Sequence, residues 1–393
     1  MEKLQREFLL ILKSGLTGGK TEVSVTFDSV EALKLAVKHK VESLFYYGIK
    51  NSGIYMDPDA LDILRERVIA LAAKQVRQSN ACRELYEKFR EKGVSFMPLK
   101  GAVMKDMYPK ADMRYMGDVD ILIKDEEYPI IKEIMTEQGF SFKTESSHEY
   151  VWEKEDALYA ELHKELVPLY NRDYHAYYEN SWSLAKEETE NGFVMSDEDF
   201  FIYIFTHLAN HYRNSGIGIK HFVDIWLYIK EKPDIDKEYI ENEIRKLGLI
   251  DFIRNVADLL NVWFEGGKET EKTDFMTNWI FSRGAYGNPM NISTSMALRK
   301  VNDSGKGAGL KYRLYIRRLF LPYRNMCRQY PILKKAPYLL PFFWVVRITE
   351  AVLFKRERIM GEKERIDSLD KDKVEEYKRN LDYVGLEFPE KEE

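Results

Sequence analysis

Cysteine is nearly absent from this sequence. Cys82 and Cys327 are the only two in 393 residues, far apart and in no pairing motif. That excludes a disulfide framework and a cysteine-based zinc site, and it fits a reducing compartment. Long apolar runs are missing too. The opening MEKLQREFLLILKSG has only a short apolar run with acids close by, and lacks the basic start, extended apolar region and small-residue cleavage site of a signal peptide. Ala336 to Val346 contains two prolines and is too short to span a bilayer. Nor does one charge dominate: 60 Lys and Arg against 65 Asp and Glu leave a net charge of −5, which is no overall nucleic-acid signature. With 45% hydrophobic and 32% charged residues, the chain is composed to form a soluble core, and its length suffices for two or three domains. The expected location is cytoplasmic.

Four regions follow from the patterning. Residues 1–92 read as helical, with apolar positions three and four apart in EALKLAVKHKVESLFYYGI and in ALDILRERVIALAAKQVRQSNACRELYEKF. Asp57 or Asp59 can cap the second of these helices, and Lys92-Gly93 ends it. Residues 93–195 change texture. VSFMPL and DVDILI read as buried strands separated by a short helix, EEYPIIKEIMTEQGF as a helix, and HEYVWEK with ALYAELH as a hairpin turning at Glu155-Asp156. Residues 196–300 return to helices, beginning at a capping-box-like Ser196 with Asp199, and end in the turn-rich RGAYGNPMN. Residues 301–393 hold a basic, aromatic segment and a charged tail. The fold class expected is α+β, a small mixed sheet with helices between N- and C-terminal helical regions.

The stretch richest in chemistry is Leu99-Lys100-Gly101 followed by Arg114-Tyr115-Met116-Gly117-Asp118-Val119-Asp120-Ile121-Leu122. Side chains alternate on a strand, so Asp118 and Asp120 share a face about 7 Å apart while Val119 and Ile121 face a core. Two such carboxylates repel unless a hard cation joins them. Two Mg²⁺ ions there would bridge a nucleoside triphosphate, activate an attacking hydroxyl and stabilise departing pyrophosphate. Gly101, between a strand and a helix start, lets backbone N–H groups approach a phosphate, and Lys100 adds a positive charge. In ALYAELHKEL the residues Tyr159, Glu161, His163 and Glu165 share a face; Glu161 is the expected third metal ligand or general base, with His163 orienting it or binding substrate.

These motifs resemble the uncharacterised nucleotidyltransferase family of the DNA polymerase β-like superfamily, whose pattern is Leu-Lys-Gly, then Arg-x-Met-Gly-Asp-x-Asp-Leu-Leu, then an acid near Leu-His. Here it stands as Leu99-Lys100-Gly101, Arg114 to Leu122, and Glu161-Leu162-His163. The resemblance implies a polymerase β-like core, two-metal nucleotidyl transfer, and a helical domain facing the catalytic sheet. It places Gly117 and Arg114 in the motif at the nucleotide, and it implies that Lys220 and Asp224 line the nucleotide or acceptor pocket. The superfamily's usual Gly-Ser or Gly-Gly is replaced by Lys100-Gly101-Ala102, so the triphosphate grip differs in detail.

Other residues admit two readings. His207 and His211 have a metal-protease spacing, but Leu208 stands where such an enzyme needs Glu, so a packed polar pair or a helix face toward the cleft is favoured. Lys220 and Asp224 form at least a helical i,i+4 pair, although Asp224 sits among Phe222, Val223, Ile225 and Trp226. Arg114 contacts either phosphate or a nearby acid. The basic aromatic residues 311–358 solvate a helical core, make a peripheral membrane contact or, less readily, contact a nucleic acid. Two functions are carried forward. One is an Mg²⁺-dependent nucleotidyltransferase using an NTP, expected to be ATP, on an acceptor that is a small molecule, sugar, peptide or protein more readily than a nucleic acid. The other is a non-catalytic nucleotide- or partner-binding scaffold of the same fold.

Overall fold

The computed structural model describes residues 1–169, 171–214, 216–285, 316, 319–354 and 371–387. It divides into two compact units, Met1–Tyr212 with Gly216–Gly287, and Arg213–Ser215 with Asn288–Glu393.

The first unit begins with helices α1 (Lys3–Thr17), α2 (Ser29–His39), α3 (Glu42–Ser52) and α4 (Pro58–Glu91). Helix α4 starts where its sequence requires. The Asp57 carboxylate accepts the Ala60 N–H at 3.1 Å, Pro58 takes the first turn, and Gly93 follows the last turn at φ 69°. Strand β1 (Phe96–Pro98) and the single turn α5 (Gly101–Met104) follow, then 3₁₀ turns at Lys105–Met107 and Ala111–Met113. Next come β2 (Val119–Ile123), α6 (Tyr128–Glu137), β3 (Ser141–Glu145), β4 (Glu149–Lys154), β5 (Leu158–His163), the short α7 (Arg172–His175), β6 (Lys186–Thr189) and β7 (Gly192–Val194). The strands form one mixed sheet in the order β3-β4-β5-β2-β1-β7-β6. Strands β2 and β5 run parallel, and β1 and β4 flank that pair antiparallel.

The alternation expected of DVDILI and ALYAELH divides the sheet into two chemistries. Val119, Ile121 and Ile123 of β2 and Leu158, Ala160 and Leu162 of β5 share one core with Leu85 and Phe89 of α4 and Ile131 and Ile134 of α6. Each such aliphatic side chain contributes about 1.5–3 kcal/mol when fully buried. The pleat then sends Asp120, Glu161 and His163 to the opposite face. A one-residue slip of either strand would put these polar groups into the core, so the apolar set fixes the register.

That opposite face meets helices from the second half of the unit: α8 (Asp197–Asn214), α9 (Ile219–Glu231), α10 (Lys237–Lys246), α11 (Ile250–Leu260), which passes into a π turn at Asn261–Glu265, and α12 (Glu271–Arg283). Ser196 caps α8 as expected, accepting the Asp199 N–H at 3.0 Å and donating to its carboxylate at 2.8 Å. Three strands lay outside the pattern-based reading. Every residue of β3 and β6 is exposed, and β7 has only three residues, so none carries the alternation that betrays a half-buried strand.

The second unit contains α13 (Tyr323–Gln329), α14 (Leu340–Phe354) and α15 (Lys371–Tyr383), with Met326, Cys327 and Leu333 packed together. Among the described residues no helix is long and apolar enough to cross a membrane. Most of the loop RGAYGNPMN and parts of the basic segment 311–358 lie outside the described residues.

Candidate active site

Strand pairing assembles the carboxylates. Asp120 lies opposite Glu161 in the β2–β5 register, and His163 lies opposite Glu149 in the β4–β5 register. One donor atom each from Asp120, Glu161 and His163 falls within 4.8 Å of the others, a set suited to a divalent cation. Asp120 is 7% exposed, whereas Asp118, one residue before the strand, is open to solvent at the mouth. Both aspartates, Glu161, Lys100, Gly101 and Gly117 line one cavity of about 370 Å³. Its other wall comes from α8 and α9, through His207, His211, Lys220, His221 and Asp224. The expected site residues are therefore brought together, with His163 just behind Asp120.

Charge balance in this cavity is uneven. The Lys100 Nζ lies 2.7 Å from Asp120 Oδ1, and His163 Nε2 lies 2.8 Å from the same oxygen. Burial opposes ionisation of Asp120, but Lys100 and then His163 hold its carboxyl below the usual range. Glu161 is held more loosely, with His163 Nε2 3.8 Å from its Oε2. Burial, then the charges of Asp120 and Asp118, push it up to about 8. Protein mass packed around Asp118, and then Asp120, raise that carboxyl as well, solvent-open though it is. An acidic cluster in which the Lys100 ammonium bonds directly to one carboxylate, Asp120, is chemically matched to a bound divalent ion.

The glycine turn differs from its sequence-based expectation. Lys100, not Gly101, takes the left-handed backbone, at φ 45° and ψ −113°, a conformation a non-glycine residue holds only when its surroundings enforce it. Gly101 sits in close quarters: a Cβ there would lie 3.2 Å from Met116 Sδ, so that flexible side chain would have to give by a few tenths of an ångström. The amides of Ala102, Val103 and Met104 donate to the carbonyls of Leu99 and Lys100. They are thus committed within the turn rather than offered to a phosphate.

Arg114 and Asp224, read from the sequence as separate candidates, engage each other. Arg114 donates Nε to Asp224 Oδ1 at 2.7 Å and Nη2 to Oδ2 at 2.8 Å, both side chains being buried. The Tyr108 hydroxyl donates to Asp224 at 2.8 Å, and Gln75 Nε2 donates to the Arg114 carbonyl at 2.7 Å. Lys220 instead lies 5.8 Å from the centre of the Tyr115 ring, which Lys40 and Lys74 each approach at 5.4 Å. Burial, then the Arg114 charge, push the Lys220 ammonium down to about 7.

His207 and His211 turn toward the cavity with ring centres 4.3 Å apart, and His221 lies about as near to each, 5.9 and 6.1 Å away. Burial is the leading cause that keeps all three imidazoles below their ordinary value, His211 at about 4. His221, Lys40, Tyr115 and Glu149 were not singled out by sequence reasoning. Tyr115 alone carried a signal, its place inside the Arg114–Asp120 motif; the others depend on pairings across elements. Because the Arg114–Asp224 pair is desolvated, Asp224→Ala is expected to cost about 3–5 kcal/mol, read as an earlier urea midpoint. An Arg114→Met/Asp224→Leu double variant should recover much of that loss, since no charge is then left buried alone.

Comparison with known proteins bears on this geometry. No curated protein matches the chain. Among solved structures, the Megavirus polyadenylate synthase aligns with 14% identity and a TM-score of 0.31, over 47% of this chain and 39% of that one. A family model described as "Uncharacterised nucleotidyltransferase" matches residues 26–265, which include every carboxylate and cation of the cavity. The chain belongs to that family of nucleotidyltransferases.

Proposed function

We propose that the protein transfers a nucleoside monophosphate from an Mg²⁺-bound NTP to an acceptor hydroxyl and releases pyrophosphate. The observation that carries this reading is the meeting of Asp118, Asp120 and Glu161 at the edge of one cavity whose opposite wall holds Lys220 and three histidines. Carboxylates on one side and cationic or hydrogen-bonding groups on the other suit a metal-bound triphosphate lying between them.

Asp118 and Asp120 would hold the two metal ions, with Glu161 completing one site and His163 steadying Asp120. The ions would supply charge neutralisation for the triphosphate and the leaving group. The chain's own residues do the rest. Lys100, released from Asp120 when a cation takes its place, is positioned for a phosphate oxygen. Lys220 reaches the cavity from α9, and Gly117 lines it beside Tyr115. The Arg114–Asp224 pair positions both walls rather than touching the nucleotide. ATP is the donor we favour.

Calorimetric titration with each of the four NTPs, with and without Mg²⁺, tests the reading. One nucleotide should bind in an Mg²⁺-dependent way and lose at least about a hundredfold in affinity in both Asp118→Ala and Asp120→Asn, measured below each variant's thermal midpoint, which should fall in Asp120→Asn because Lys100 loses its buried partner. Mg²⁺-dependent binding that survives either substitution would contradict the assignment.

Lys220 gives a separate prediction with a definite sign. With a free-state value of about 7, its amine is mostly neutral at pH 8, and an arriving triphosphate favours the ammonium. NTP binding at pH 8 should therefore take up close to one more proton in the native chain than in Lys220→Met. The difference should shrink toward pH 6, where the free amine is already protonated. Titration in buffers of different ionisation enthalpy measures it.

A further inference from the structure

A second cavity of about 190 Å³ opens on the far side of Glu161. It shares Lys100, Glu161, His207 and His211 with the first cavity, so the two meet at the carboxylate end of the sheet. Its remaining wall is mixed. Leu166, Val167 and Pro168 supply an apolar patch, while Glu149, Thr206 and Tyr203 supply polar groups. Tyr203 is 1% exposed, and its hydroxyl has no hydrogen-bond partner among the described residues. A buried phenol left unsatisfied at a cavity wall calls for a ligand that completes it.

Size and charge narrow that ligand. The volume equals about six water molecules, below the usual range for drug-sized ligands. A cavity of that size encloses one small ring, and anything longer runs out through its open side. Glu149 and Glu161 face Lys100 across the cavity, and His207 and His211 are held neutral by burial, so neither sign of charge prevails. A polynucleotide needs several cations along its backbone, and this cavity offers Lys100. Hydrogen-bonding groups beside a small apolar patch match a neutral molecule with hydroxyls on its rim and C–H groups on one face.

We propose that this second cavity is the acceptor subsite and that it takes a neutral polyhydroxylated molecule of monosaccharide size. The proposal rests on the nucleotidyl-transfer reading above. One acceptor oxygen, presented beside Glu161, forms the new bond to the α-phosphorus. The bond from that phosphorus to the bridging oxygen breaks, and its electron pair leaves with pyrophosphate. The hydroxyl proton passes to water. The products are the nucleotidylated polyol, pyrophosphate and one proton.

The test is ligand-observed NMR saturation transfer on the full chain, with Mg²⁺ and the NTP present. The probes are D-glucose, D-mannose, N-acetyl-D-glucosamine and myo-inositol, each alone, beside a hexa-adenylate oligonucleotide. At least one of the four polyols should bind, weakened about tenfold or more in Asn210→Trp, which fills the cavity from α8, and several-fold in Tyr203→Phe, which only removes the hydroxyl. Should Asn210→Trp fail to fold, Tyr203→Phe carries the comparison. Absence of binding by all four polyols overturns the proposal. So does polyol binding indifferent to both variants, or hexa-adenylate binding in their place. NTP affinity measured on the same samples separates the two claims. Loss of NTP binding in the unmodified chain defeats the transfer reading, whereas intact NTP binding with no polyol signal defeats the subsite alone.

Discussion

The buried, two-pronged ion pair between Arg114 and Asp224 fixes the distance between the carboxylate end of the sheet and the helical wall opposite. Arg114 belongs to the loop that enters β2, and Asp224 to α9. Tyr108 and Gln75 attach two further elements to the same pair. Desolvating two charges costs several kcal/mol each, and bidentate geometry with extra hydrogen bonds offsets that cost only when all partners are in place. The arrangement is therefore selective for one spacing of the walls, and that spacing gives the cavity its width.

Within that frame, electrostatics follows from the sheet. Apolar residues at alternate positions of β2 and β5 bind one face to α4 and α6, so the intervening Asp120, Glu161 and His163 have only the cavity side to occupy. Asp118, Asp120 and Glu161 then crowd a space where Lys100 pairs with Asp120 and His163 hydrogen-bonds the same oxygen. In metal-free protein these two groups occupy the coordination side of Asp120. A divalent ion would replace Lys100 there and lower Glu161 back toward the ordinary carboxylate range. Nucleotide and acceptor would then approach the same strand edge from two cavities that meet at Glu161.

Much of this was legible in the sequence because it depends on local pattern. The Asp118–Ile123 alternation, the shared face of Glu161 and His163, the Asp57 and Ser196 caps and the start of the second helical region all appear where periodicity places them. Pairings between distant segments were not legible. Arg114 and Asp224 are 110 residues apart, and no spacing links them. His221 is drawn to the cavity only by the direction of α9, and Glu149 only by the β4–β5 register. The strands β3 and β6 escaped because exposed edges need no apolar alternation, and β7 because three residues are too few to show one. At Lys100-Gly101 the residue types pointed to an amide cradle; the amides of Ala102, Val103 and Met104 bond within the turn, and Met116 packs against the glycine, neither of which a spacing announces.

The most direct test of the central claim is a crystal structure of the chain with Mn²⁺ and a non-hydrolysable NTP analogue, using anomalous scattering to locate the metal. Mn²⁺ is expected about 2 Å from carboxylate oxygens of Asp118 and Asp120, with the triphosphate between them and α9 and the Lys100 ammonium moved off Asp120. Manganese bound elsewhere, or a nucleotide lying outside this cavity while Lys100 stays on Asp120, would contradict it.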